Sequence, residues 1–99
     1  MPLLKSLIQD QPLLISSLIQ YAAQYHGERE IVTRTINRNI HRTTYAEIYK
    51  RTQQLANALE ALGAEPGDRI GTIAWNSFRH LEVYYATSGV GCVCHTINP

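Results

Sequence analysis

The sequence predicts an α/β fold: a short β-hairpin followed by a βαβ parallel unit with covering helices. Three observations lead there. Apolar residues recur at three- and four-residue spacing in three separate windows, short β-rich runs bounded by turn residues sit between them, and the last two runs flank a helical window over about 30 residues, the length of a strand–helix–strand crossover.

The first window, from about Pro12 to His26, puts Leu13, Leu14, Ser17, Leu18, Tyr21, Ala22 and Tyr25 on one side of a helix. Pro12 suits its first turn and Gly27 its exit, so residues 1–28 read as an amphipathic helical arm. Glu30 to Thr35 and Ile40 to Thr44 are two β-rich runs joined by Ile36-Asn37-Arg38-Asn39, whose asparagines tolerate turn geometry, and a hairpin is expected. Thr44-Tyr45-Ala46-Glu47 has the form of a capping box: the threonine hydroxyl accepts from a free backbone N–H, and the glutamate reaches back to the cap. A helix therefore starts at Tyr45. Its buried stripe is Ile48, Tyr49, Thr52, Leu55, Ala56, Leu59 and Leu62, and Gly63 is placed to end it in a left-handed conformation.

Ala64-Glu65-Pro66-Gly67-Asp68 is turn chemistry leading into Arg69 to Trp75, a β-compatible run short enough for a buried strand. Asn76 or Ser77 caps a third helix, with Phe78, Leu81, Tyr84, Tyr85 and Ser88 on its inner face. Gly89 and Gly91 close it, and Val90 to Ile97 forms a second strand, parallel to the first through a right-handed crossover. Parallel sheets need helices on both faces and usually several strands, yet the sequence stops at Asn98-Pro99. An incomplete domain is expected.

The composition narrows the function. Nine Lys and Arg against eight Asp and Glu leave a formal charge of +1, too little by itself to indicate a nucleic-acid or membrane-surface protein. The longest aliphatic run, Leu13-Leu14-Ile15, is far short of a membrane span or a secretory core. Cys92 and Cys94, two apart, would form only a strained disulfide, so a reducing, cytoplasmic compartment is expected.

Candidate chemistry is sparse. Neither G-x-x-x-x-G-K-[ST] nor G-x-G-x-x-G occurs; Gly89-Val90-Gly91 precedes a strand and reads as a helix exit with tight packing. Cys92-Val93-Cys94-His95 offers soft metal ligands, but on a strand the cysteines share one face while His95 takes the other, and no second ligand pair has matching spacing. The thiols read as small core residues. His80 and His95 lack a local nucleophile and orienting acid, and His26 and His41, at element ends, read as solvated. Between Arg29 and Arg51, six basic residues face only Glu30 and Glu47. Because helical phase turns Tyr45 and Tyr49 inward, this reads as a solvated basic face and not a nucleic-acid surface. Trp75-Asn76, at a strand's carboxyl end, is where open α/β sheets bind ligands, although capping and packing also account for both residues. No catalytic, cofactor-binding or metal-ligating residue is assigned.

Several segments, in order, resemble the N-terminal end of AMP-forming acyl-CoA synthetases, the adenylate-forming ligases, especially their medium- and long-chain fatty-acid group. They are His41-Arg42-Thr43-Thr44-Tyr45-Ala46-Glu47, Gln54-Leu55-Ala56-Asn57-Ala58-Leu59, Leu62-Gly63 and Pro66-Gly67-Asp68-Arg69. Ala74-Trp75-Asn76, Arg79-His80-Leu81-Glu82, Tyr84-Tyr85 and His95-Thr96-Ile97-Asn98-Pro99 continue the series. The likeness runs from Leu3 to Pro99. It departs at Cys92 and Cys94, where the family tends to have small or aliphatic residues; those swaps keep size and burial roughly constant.

The resemblance implies a parent ligase in which a carboxylate attacks the α-phosphate of ATP, pyrophosphate leaves, and the thiol of coenzyme A opens the acyl-adenylate. ATP, coenzyme A and Mg2+ belong to that parent, and the family's phosphate-binding loop, ribose-binding acid and adenylation lysine fall beyond the matching region. Residues 1–99 are then the incomplete N-terminal part of an AMP-binding domain, inactive alone and without cofactors of their own. Their partners would be the remainder of the ligase, its carboxylate substrate and, through the arm, a second subunit. A small interaction module using its exposed apolar faces and open sheet edges is the alternative. Reading the coding DNA past Pro99 discriminates the two.

Overall fold

A computed structural model describes residues 12–99; residues 1–11, the beginning of the expected arm, lie outside the described residues. The elements are α1 (Ile15–His26), β1 (Glu30–Arg34), β2 (Ile40–Thr44), α2 (Tyr45–Ala61), β3 (Arg69–Ile73), α3 (Phe78–Gly89) and β4 (Val93–Ile97). The fold is mixed α/β, as expected.

Two of the three helices begin where a hydroxyl accepts a free N–H. Thr44, extended, takes the Glu47 amide at 3.2 Å, and Ser77 takes the His80 amide at 3.4 Å. Only half of the anticipated capping box forms: among the described residues the Glu47 side chain makes no return bond to the Thr44 amide. Helix α1 starts later than expected: its cap is Leu14, extended and without a side-chain oxygen, and Pro12 and Leu13 stand outside the helix.

Gly27 ends α1 in ordinary right-handed geometry, so its glycine identity answers to space rather than to backbone angle. A Cβ there would lie 2.6 Å from the Ala23 carbonyl oxygen and 3.3 Å from the Ala46 Cβ, where the chain crosses the start of α2. The Ala46 amide donates to the Gly27 carbonyl at 3.1 Å and ties the two helix ends together.

The hairpin pairs antiparallel, Glu30 with Thr44 through Arg34 with Ile40. Its turn overturns one detail of the sequence reading: Arg38, not an asparagine, adopts the left-handed conformation, at φ 68°. The surrounding bonds hold it there, with the Thr35 amide donating to Asn39 at 2.8 Å and the Arg38 amide to Thr35 at 2.9 Å. β3 and β4 form a separate parallel pair, from Arg69 beside Val93 to Ile73 beside Ile97. β4 starts three residues later than expected. Gly91, at φ 78°, turns the chain, its carbonyl receives the Gly67 amide at 2.9 Å, and pairing begins only once Val93 donates to Asp68 at 2.7 Å.

The core lies where the three helices meet the hairpin: Ile19, Ile48 and Phe78 are buried, with Ile31, Tyr45, Tyr49, Leu81 and Tyr85 packed around them. Ile48 is sealed completely, a burial that stabilises by about 2 kcal/mol. Thr33, buried on β1, accepts the Phe78 amide at 3.2 Å and pins the hairpin to the first turn of α3. The β3–β4 pair has α3 against one face. Its other face, carrying Ile73, Val93 and Ile97, is uncovered among the described residues.

Candidate functional site

The fold brings the hairpin, the carboxyl end of β3 and the first turn of α3 to one side of the molecule. Two open grooves run there. One, of about 600 Å3, lies between β1 and α3 and has Thr33, His80, Tyr84 and Thr96 among its lining. The other, of about 630 Å3, lies between the hairpin turn and residues 74–79, with Trp75 exposed on its wall. Trp75 and Asn76 follow the carboxyl end of β3 and line this second groove; Ser77, rather than Asn76, is the helix cap.

The candidate side chains separate instead of converging. His80 lies on the sheet side of α3, its Nε2 3.1 Å from the Thr72 hydroxyl, while His95 is exposed on the opposite face of β4. Cys94 is half-buried on that strand. Cys92 precedes it, buried in the Gly91 turn with its thiol 3.2 Å from the Glu65 carbonyl oxygen, so the two cysteines do not share a strand face. Among the described residues no three His, Cys, Asp or Glu side chains gather as a metal site.

His41 departs from the sequence reading. It is half-buried, not solvated, and its ring stacks on Phe78 with centroids 3.8 Å apart and planes at 11°. Residues 40–44 present alternate faces, and the face bearing His41 is the one that turns to α3.

An ion pair went unseen in the sequence. Glu82, only 7% exposed along its side chain, accepts from Arg51 Nε at 2.6 Å and from a terminal guanidinium nitrogen at 3.3 Å. This side-chain hydrogen bond and the carboxylate's charge hold the Arg51 guanidinium above its already high pKa. Glu82 sits four residues after Phe78 and four before Ala86, so the i, i+4 spacing already placed it on the buried line of α3. Arg34 and Arg79, by contrast, have no carboxylate partner among the described residues. Burial, followed by the neighbouring Tyr84 and Tyr45, pushes the Tyr85 phenol above its usual pKa.

The hairpin and the crossover together make a mixed α/β unit, the class of fold seen in the N-terminal regions of adenylate-forming ligases. Residues 19–99 match the family described as AMP-binding enzyme, and the chain belongs to that family. It is 57% identical over 89 residues to a 3-methylmercaptopropionyl-CoA ligase of Ruegeria lacuscaerulensis, covering 90% of this chain and 16% of that protein. It is 53% identical over 87 residues to a medium-chain-fatty-acid–CoA ligase of Ectopseudomonas oleovorans, covering 88% of this chain and 16% of that one. A fatty acyl CoA synthetase of Mycobacterium tuberculosis superposes with a TM-score of 0.72 at 26% identity, over 86% of this chain and 16% of the other. The chain thus spans about one-sixth of the length of these relatives.

Proposed function

We propose that these residues are the N-terminal part of an AMP-forming acyl-CoA ligase and serve there as scaffold, without catalysis of their own. The observation that carries this reading is the close identity along nine-tenths of the chain to only 16% of two CoA ligases. In the whole ligase, a carboxylate oxygen attacks the α-phosphorus of ATP and pyrophosphate leaves; the sulfur of coenzyme A then attacks the acyl carbonyl and AMP leaves. Mg2+ would neutralise charge on the departing phosphates; among the described residues no cluster of His, Cys, Asp or Glu fits it.

The contribution of this region is positional. The exposed face and free edges of β3–β4 would be covered by later strands and helices of the same polypeptide. The exposed stripe of α1, Leu14, Leu18, Tyr21 and Tyr25, would pack on that body or on a second subunit. No described helix is long and apolar enough to cross a membrane, and the cytoplasm is the proposed compartment.

The test is carboxylate-dependent exchange of labelled pyrophosphate into ATP. The 99-residue chain alone gives none, whereas the longer polypeptide beginning with it gives exchange with fatty acids. Exchange by the chain alone overturns the scaffold role; a longer polypeptide inert toward short, medium and long fatty acids overturns the ligase assignment.

A further inference from the structure

Two unpaired strand edges open onto one groove. In the hairpin the Tyr45 amide donates to the Arg29 carbonyl at 3.2 Å and the Thr35 amide to that of Asn39 at 2.8 Å, which sets the phase of the ladder. Arg29, Ile31, Thr33 and Thr35 turn their backbone groups toward β2, while Glu30, Val32 and Arg34 turn theirs away. In the parallel pair the Val93 amide donates to Asp68 at 2.7 Å, so Val93, His95 and Ile97 bond to β3, whereas Cys94 and Thr96 aim their amides and carbonyls away from it. The groove of about 600 Å3 between β1 and α3 touches both outward rows. Val32 and Arg34 line one side and Thr96 the other, no residue of β3 reaches it, and His80, Leu81 and Tyr84 of α3 make the floor. β1 and β4 are not paired with each other.

We propose that this groove is a slot for one further β-strand, inserted between β1 and β4 so that the hairpin and the parallel pair become a single sheet. Its spatial order is β2, β1, the inserted strand, β4, β3. The slot calls for backbone, not for a side chain: the outward amides and carbonyls alternate along both of its sides, and an extended strand presents donors and acceptors on both of its edges at that spacing. β1 and β4 have five residues each, so a strand of about five residues, roughly 17 Å long, spans the slot. β4 also lacks the proline and charged side chains that keep a permanent edge from pairing. The residues the strand turns toward α3 meet Leu81, Tyr84 and His80, a half-buried surface that favours β-branched and aromatic side chains. The strand comes from the polypeptide that follows Pro99. That source rests on the ligase reading, in which this chain covers 16% of each of two relatives; the two facing edges do not.

The experiment uses the longer polypeptide. Val32 and His95 both stand exposed on the sheet face away from α3, one on each side of the slot, so each can carry a photo-cross-linker without entering the core. With p-benzoylphenylalanine at Val32 in one variant and at His95 in another, photolysis should join both positions to the same peptide, lying beyond Pro99, because a single strand separates them. Cross-links to two unrelated peptides, to a peptide within residues 1–99 or to a second copy of the chain overturn the proposal. Amide hydrogen exchange in the unmodified polypeptide gives a readout that needs no cross-link: the outward amides of Val32, Arg34 and Thr96 should exchange about a hundredfold more slowly than in the urea-unfolded chain, as the inward amides of Ile31 and Thr33 do. Fast exchange at the outward amides beside protected inward ones overturns the slot. Convergent cross-links in a polypeptide inert in pyrophosphate exchange would sink the ligase reading and leave the slot standing, while divergent ones in an active ligase do the reverse.

Discussion

Breaking the Arg51–Glu82 pair from either side should have unequal consequences, because its partners sit in unequal surroundings. The Glu82 side chain is 7% exposed and that of Arg51 47% exposed. Arg51→Met leaves a carboxylate stranded where water scarcely reaches. Orphaning one member of a fully buried pair costs about 3–5 kcal/mol; with half of Arg51 already in solvent, water can enter its place and about 2–3 kcal/mol is expected. The variant also loses the weak attraction of a guanidinium 5.9 Å over the Phe78 ring. Glu82→Gln keeps shape and one acceptor and leaves Arg51 free to turn toward water, so about 1 kcal/mol is expected. At about 4–8 °C per kcal/mol, thermal unfolding followed by circular dichroism should fall by roughly 8–24 °C for the first and roughly 4–8 °C for the second. The double variant Arg51→Met/Glu82→Leu, which strands no charge, should recover most of the loss, and does so even where Arg51→Met alone is too unstable to purify. A Glu82→Gln loss as large as that of Arg51→Met, or a double variant losing the sum of the two, would show that burial of the carboxylate is not what sets the cost.

Three further outcomes follow from the packing. Ile48→Val should cost about 1 kcal/mol and Ile48→Ala about 3 kcal/mol in urea unfolding, since the side chain is wholly enclosed; equal costs would mean that the core collapses around it. Gly27→Ala should destabilise, because its methyl would meet the Ala23 carbonyl at 2.6 Å, and a melting temperature unchanged or raised would contradict that contact. Tyr85 has a folded-state pKa above its unfolded value, so its contribution is fully present below about pH 10 and disappears as pH rises through the folded pKa. Unfolding on alkaline titration should therefore be less steep for Tyr85→Phe, and an identical alkaline profile would exclude the tyrosine as its source.

The elements with local causes were legible before any coordinates. The Thr44 cap, the helical period from Tyr45 to Leu59, the Gly63 exit and the two strands flanking a helix all depend on residues within a few positions of one another, and each is found; Leu62, expected at the end of the buried stripe, instead lies past α2 and is 85% exposed. Boundaries slipped where a distant backbone contact intervened. The expected strand from Val90 is delayed to Val93 because Gly67, twenty-four residues earlier, binds the Gly91 carbonyl. The spacing assigns Phe78, Leu81, Tyr84, Tyr85 and Ser88 to the inner face of α3, whereas its buried residues are Phe78, Glu82, Ala86 and Thr87. Hydrophobicity alone hid Glu82, since a buried carboxylate is tolerated only when a partner from another helix arrives, and nothing local announces Arg51.

The sequence by itself determined the order and kind of the elements and the family, because capping, periodicity and motif wording are short-range properties of the chain. Tertiary structure decided which polar groups are paired, that His41 stacks on Phe78, and that Arg34 and Arg79 share a groove with Ile36, Ile40 and Trp75. Those residues lie up to 45 positions apart. Hydrogen bonds, ion pairs and ring stacking act over a few ångströms in space, so separation along the chain gives no measure of them until the helices and hairpin have packed.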